Sequence, residues 1–221
     1  LQRLAQYLLA PLVLQLTALD HLHIQMLMVH TQLQHSMLQF PQLVLFLHTH
    51  ITTISTVVES GTALYYQNAL FRYYALGSFK ELSFKICFDN AMLIFLDGRQ
   101  NADGDPQENF AREFLELYTI GKGEQTGPSD YTNYTEEDIR ECAKIFSGYI
   151  EDLDFTNIDP DTGLPQGVLR GDVSASRHDS TTKVLSAAFG GATIAPTELI
   201  DNKASKVAAI DEVQQLVDVI F

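Results

Sequence analysis

Gln107-Glu108-Asn109-Phe110-Ala111-Arg112-Glu113-Phe114-Leu115-Glu116-Leu117-Tyr118-Thr119-Ile120-Gly121 reads as one amphipathic helix, and it sets the class of the chain. Asp105 is the expected N-cap, Pro106 suits the first helical position, and Glu108 follows the cap by three residues. Gly121 is the natural left-handed residue past the end. At about 100° per residue, Phe110, Ala111, Phe114, Leu115, Leu117 and Tyr118 fill one continuous arc. Glu108, Asn109, Arg112, Glu113 and Glu116 fill the opposite one.

Three readings of that polar face stand open: a solvated surface, a buried structural network, or a functional cleft. Glu108 to Arg112 and Arg112 to Glu116 are i,i+4 pairs in the favourable order, worth about 0.2–0.5 kcal/mol each. Arg112 is expected to be substantially buried and to reach a carboxylate outside its own helix, with Glu113 or a histidine nearby.

Helix signals recur on both sides. Thr62 to Leu76 is helical in character and is closed by Gly77. Ser78-Phe79-Lys80-Glu81 has the form of a capping box, Asp89 can cap a short helix ending near Gly98, and Thr135-Glu136-Glu137-Asp138 opens another. In that last helix Ile139, Cys142, Ala143, Ile145, Phe146 and Tyr149 form the apolar face. It is expected to pack against the central helix through Phe110, Phe114, Leu117, Ile139, Cys142 and Phe146. Glu151 to Arg177 reads as loop around the turn Asp159-Pro160-Asp161-Thr162-Gly163-Leu164-Pro165. Lys206 to Phe221 reads as a helix with Val213, Leu216, Val217 and Ile220 inward. No alternating strand pattern stands out. The expected fold is therefore mainly α: a single multi-helix domain with long loops, a fragment of a longer domain.

The opening differs in character. From Leu1 to Phe71 the charged residues are Arg3, Asp20 and Glu59, where average usage would place roughly eighteen. Six of the seven histidines fall there too. Residues 1–42 are accordingly set apart as an atypical Leu/Gln/His-rich stretch, not native family sequence and of little weight in the fold. The helical domain is placed at 43–221. Gln, His and Thr interrupt every candidate membrane window, so no membrane span is expected.

A net charge of −14 excludes a nucleic-acid partner on electrostatic grounds. Cys87 and Cys142 have no metal-type spacing and sit on apolar helical stretches, which favours buried thiols. No phosphate loop or nucleophile elbow is present in the sequence. Asn101, Asp103 and Asp105 have calcium-like alternation, but Pro106 stands where an EF-hand loop needs Gly and Arg112 where it needs Glu. No cofactor is expected, with a weak calcium site left open there and at Asp152, Asp154, Asp159 and Asp161. The His48/His50 pair could ligate a metal only from a strand or loop, since on a helix the rings diverge by about 200°. His178-Asp179 is either an imidazole with its orienting carboxylate or a loop pair with Asp179 as a cap.

Several blocks resemble one family. Glu108-Asn109-Phe110-Ala111-Arg112-Glu113, Leu115-Glu116-Leu117 and Thr119-Ile120-Gly121 resemble the signature of domain of unknown function 1800, a mostly bacterial, uncharacterised family. Phe46-Leu47-His48-Thr49-His50 is similar to its Phe-Trp-His-Asn-His segment. Tyr74-Ala75-Leu76-Gly77-Ser78-Phe79 and Asn90-Ala91-Met92-Leu93 resemble its next two helices. Tyr134-Thr135-Glu136-Glu137-Asp138, Phe146-Ser147-Gly148-Tyr149 and Arg177-His178-Asp179 with Lys183 resemble later blocks. Leu47 and Tyr149 stand where the family has Trp, Gln107 replaces an Asn, and the resemblance begins near residue 43.

The resemblance implies a helical, often exported domain, periplasmic or extracellular, and no established catalytic residues or cofactor. Two functions follow as expectations. One is a binding or assembly module working with another exported protein or a polysaccharide. The other is a hydrolase- or lyase-like enzyme using Arg112, Glu113 and a histidine in a cleft. The candidate site residues are Glu108, Asn109, Arg112, Glu113, His48, His178 and Asp179.

Overall fold

The computed structural model describes residues 39–221. The chain divides into two compact units, Leu1–Leu43 and Val44–Phe221, and the second is described here. What was expected of residues 1–42 lies, but for 39–42, outside the described residues.

Helices come first in the chain. After α1 (residues 39–50) follow α2 (Ser55–Val58), α3 (Gly61–Tyr74), α4 (Phe79–Ile86) and α5 (Asn90–Phe95). The central α6 (Asn109–Glu113) continues as a π-helical segment, Phe114–Thr119. Then come α7 (Glu136–Ile145) and, at the far end, α8 (Lys206–Ile220). The starts share one piece of chemistry. Ser60, Ser78, Asp89, Thr135 and Ser205 each sit in extended backbone and accept a hydrogen bond from the amide three residues on. Each bond satisfies an amide that the helix leaves without a partner. At Thr135 the box is complete, with the Thr135 amide donating in turn to the Asp138 carboxylate.

The fold is mainly α with some sheet. Three two-stranded antiparallel hairpins lie between α7 and α8, where the sequence shows no strand alternation: β1 (Tyr149–Ile150) with β2 (Val168–Leu169), β3 (Lys183–Val184) with β4 (Thr193–Ile194), and β5 (Leu199–Ile200) with β6 (Lys203–Ala204). Strands of two residues are too short to show a period of two. The β5–β6 turn has positive φ at both Asp201 and Asn202, the geometry of a two-residue turn whose twist matches the strands.

The expected contact between α6 and α7 is present. Phe146 lies 5.1 Å from Phe110 and 5.2 Å from Phe114 by ring centroids, and Ile139 and Cys142 are buried beside them. Aromatic pairs at this spacing add to the free energy of burial. Helix α8 packs against α4 and α7 through Ala209, Val213, Leu216 and Val217; Ile220 is only half-buried. Both cysteines are buried free thiols, and burial pushes each well above the ordinary thiol range.

Two details of the central helix differ from the sequence reading. Asp105 does not cap it. Asp105 instead closes a tight turn with Ala102, and the Gln107 amide donates to the buried Asn101 side chain at 3.1 Å. Regular helix therefore starts at Asn109. Leu117 is not in the core but 54% exposed. It sat at the edge of the apolar arc, and the π segment turns less per residue and carries it further outward. The Ile120 and Gly121 amides both close on the Leu115 carbonyl, and Gly121 adopts the expected left-handed conformation with φ 70°.

Phe114→Ala is therefore expected to cost about 3–5 kcal/mol, the range for truncating a buried aromatic. Leu117→Ser is expected to stay within about 0.5 kcal/mol of the parent. Urea denaturation of the two variants checks this directly.

Candidate functional site

The polar face of the central helix is a half-buried ion-pair network. Arg112 lies along α6 and reaches across to α7, where its Nη1 donates to Glu136 Oε2 at 3.0 Å and its Nη2 to the other oxygen. Nη2 also reaches Glu108 at 3.2 Å. Glu136 is thus the carboxylate expected outside the helix, held in a bidentate fork. The hydrogen bond from Arg112 draws Glu136 below the usual carboxylate range and raises Arg112 further. Asn109 makes a long contact, 3.4 Å, to the Leu96 carbonyl. Glu113 is half-buried, and desolvation followed by the nearby Glu116 raises its carboxyl. Tyr134 donates to Glu116 at 2.9 Å, extending the ties between the helix and the segment that enters α7.

No hydrogen bond or ion pair among the described residues links Arg112 or Glu113 to a histidine. His48 and His50 both lie on α1, are half-buried, and face different neighbours. His48 contacts the Asn68 amide and meets the edge of Phe71 at 4.8 Å. Burial, then Arg72, lowers its pKa. His50 Nε2 lies 3.2 Å from the Tyr118 carbonyl in the π segment and stacks on Phe46. This is the divergence expected of an i,i+2 pair on a helix.

His178 has the most completely buried polar setting of the candidates. It has no solvent exposure, and its Nδ1 lies 2.9 Å from the Ser147 carbonyl and its Nε2 3.1 Å from Glu212 Oε2. Both ring nitrogens thus lie within hydrogen-bonding distance of an oxygen atom. Lys183, equally buried, donates to the same Glu212 oxygen and to the Asp179 carbonyl. Glu212 Oε1 has no hydrogen-bond partner among the described residues.

Asp179 does not orient the imidazole. It accepts from the Thr181 amide at 2.8 Å and from the Thr181 hydroxyl, and its own amide donates to Ser147 Oγ. Burial works against ionisation here, yet the Thr181 donors and Lys183 hold its carboxyl below the ordinary range. Gly148 permits this approach: at φ 87°, a Cβ there would stand 2.8 Å from the His178 amide.

Sequence reasoning did not find Glu212. Its signal was an acid beside Val213 on the apolar face of α8, a position where a carboxylate is rarely buried without a partner. Asp138, the capping-box acid of α7, and Glu141 are also buried and accept the Ser186 and Val184 amides at 2.7 and 3.1 Å.

Several of the calcium-like groups hold other partners. Asn101 bonds the Ala143 carbonyl and Asp103 pairs with Lys203. Asp152 accepts the amides of Asp154, Thr156 and Asn157. Asp159 and Asp161 clasp Lys85, at 2.7 Å for Asp159. Beside this clasp is a cavity of about 340 Å³ between α4, the β1–β2 hairpin and the start of α8. Neither Arg112, Glu113 nor His178 lines it.

One more buried acid matters. Asp89, the cap of α5, accepts from Met92 and from Gln67 at 2.8 Å, yet burial pushes its carboxyl up to about 7.

The chain thus has a mainly helical domain whose polar residues are gathered into ion-paired and hydrogen-bonded centres at the helix junctions. A family model described as protein of unknown function (DUF1800) matches residues 17–221, and the chain belongs to that family. The match begins well before residue 43, where the motif resemblance starts, and so takes in part of the atypical opening. No curated protein and no solved structure matches the chain.

Two predictions follow from these geometries. Arg112→Ala is expected to cost about 1–2 kcal/mol, between an exposed pair and a fully buried one, whereas Glu212→Gln should cost about 3–5 kcal/mol by stranding buried Lys183. Thermal melts of the two variants beside the parent separate them. For Asp89 the sign runs against high pH. Its raised folded pKa means the folded state keeps a proton that the unfolded chain has released. The associated stability is full below the ordinary value of 3.8 and is lost as pH rises toward about 7. Asp89→Asn should therefore gain melting temperature relative to the parent between pH 4 and pH 8, each tenfold in proton affinity being worth about 1.4 kcal/mol.

Proposed function

We propose that this chain is a binding or assembly module, exported in its bacterial host, that works with a partner protein or an extracellular polysaccharide rather than by catalysis. The observation that carries this reading is the sealing of its polar chemistry. His178, Lys183 and Glu212 have no solvent exposure, and the guanidinium of Arg112 is committed to Glu136 and Glu108. A general acid or base must come within hydrogen-bond reach of a substrate proton, directly or through one water. Groups spent on holding helices together do not offer that reach. The requirement for residue identity along the signature helix is then structural, and the surface left for function is a cavity of another composition. The reading assigns no cofactor.

An enzymatic reading rests on Glu113 alone. Its carboxyl is half-buried beside Glu116, and burial followed by that neighbour raises it, the direction a general acid needs. The test is a panel of chromogenic ester, phosphate, amide and glycoside substrates. No turnover above the buffer rate is expected from the parent protein. Hydrolysis that disappears in Glu113→Gln, with the fold intact by circular dichroism, would overturn the binding reading and establish the hydrolase-like one.

A further inference from the structure

The cavity beside Lys85 does not stand alone. A second cavity, about 570 Å³, lies against it, and the two share Phe84, Lys85 and Asp161 as lining. Each falls in the ~300–1,000 Å³ range of small-molecule sites. Together they form a two-lobed groove, with the Lys85–Asp161 pair at the junction.

Aromatic residues wall both lobes. Phe88 and Tyr149 line the first, Tyr73 and Tyr74 the second, and Phe84 lines both. Phe84 meets Phe88 at 5.0 Å and Phe88 meets Tyr149 at 5.2 Å; Phe88 and Tyr149 are buried and back the half-buried Phe84 ring that the lobe presents. Tyr73 is 55% exposed, and its hydroxyl bridges to the Asp161 carbonyl at 3.1 Å.

The charged lining balances. Lys80, Lys85 and Lys206 stand against Glu81, Asp159 and Asp161. Such a surface has no preference for a net anion or cation. It offers carboxylate acceptors, ammonium donors and the Gln166 and Gln214 amides around apolar rings. A ligand matching this has flat apolar faces, many hydroxyls, no net charge and a length that spans two lobes.

We infer that the two-lobed groove at Phe84, Lys85 and Asp161 binds a neutral oligosaccharide, as one segment of a polymer. The proposal rests on the binding-module reading and names the polymer class. Sugar rings stack their C–H faces on Phe84 and Tyr73. Their hydroxyls donate to Asp161 and accept from Lys85 and Lys206.

The experiment is calorimetric titration of the parent chain with neutral hexasaccharides of β-1,4-linked glucose, N-acetylglucosamine, xylose and mannose. Binding of at least one in the micromolar to millimolar range is expected. Tyr73→Ala and Asp161→Asn should each weaken it at least tenfold while the far-UV circular dichroism stays that of the folded parent, because both side chains are exposed. Tyr73→Phe should retain most of the affinity, since it keeps the ring. Tyr65→Ala, an exposed tyrosine outside the groove, should bind like the parent. Absence of binding to all four sugars, or binding indifferent to Tyr73→Ala and Asp161→Asn, would overturn the proposal. If absence of sugar binding accompanies absence of turnover, the binding-module reading stands with a protein partner. Turnover dependent on Glu113 would remove that reading itself.

Discussion

The described fold depends on one buried carboxylate. Glu212 lies on the apolar face of α8 and takes His178 and Lys183 onto a single oxygen, all three without solvent exposure. Taking such charges out of water costs several kcal/mol apiece, so the group is stable only while its partners are in place. That condition ties α8 to the segment 177–184 and, through the Ser147 carbonyl, to the end of α7. The same segment is pinned a second time by Asp138 and Glu141 of α7, which accept the Ser186 and Val184 amides. The short β3–β4 hairpin is held in this way by side chains of α7 and α8. The β-structure is secured by charge and hydrogen bonding more than by sheet size.

A parallel device holds the other side of α7. Arg112 forks onto Glu136 at the first turn, where a carboxylate already complements the helix dipole. Beneath it Phe110, Phe114 and Phe146 interlock. The polar and apolar faces of the central helix therefore grip the same neighbour. Both the aromatic and the charged positions of the signature motif thus take part in joining the central helix to α7. The π segment that follows lets the helix end with Tyr118 buried and its carbonyl turned to His50, at the expense of exposing Leu117.

The two cavities that share Phe84, Lys85 and Asp161 are lined by neither Arg112, Glu113 nor His178. The groove around Lys85 has balanced charge and two lobes, and it is built by α3, α4, α8 and the β1–β2 hairpin, whose turn at Asp159 and Gly163 brings two carboxylates onto one lysine.

Local chemistry was legible in the sequence. The caps at Ser78, Asp89 and Thr135, the left-handed Gly121, the Asp159–Pro165 turn and the inward faces of α7 and α8 all depend on neighbours within about four residues, and the chain states them directly. The reach of Arg112 to another helix was legible too, because a lone cation among acids on a half-polar face needs an acceptor. What tertiary structure alone decided were the pairings between distant segments. Glu212 with His178 and Lys183, Asp159 and Asp161 with Lys85, and Asn101 in place of Asp105 at the start of the central helix span separations on which periodicity is silent. The two-residue strands, and the slip of Leu117 out of the core, are also products of packing, set where backbone hydrogen bonds find partners that no local pattern names.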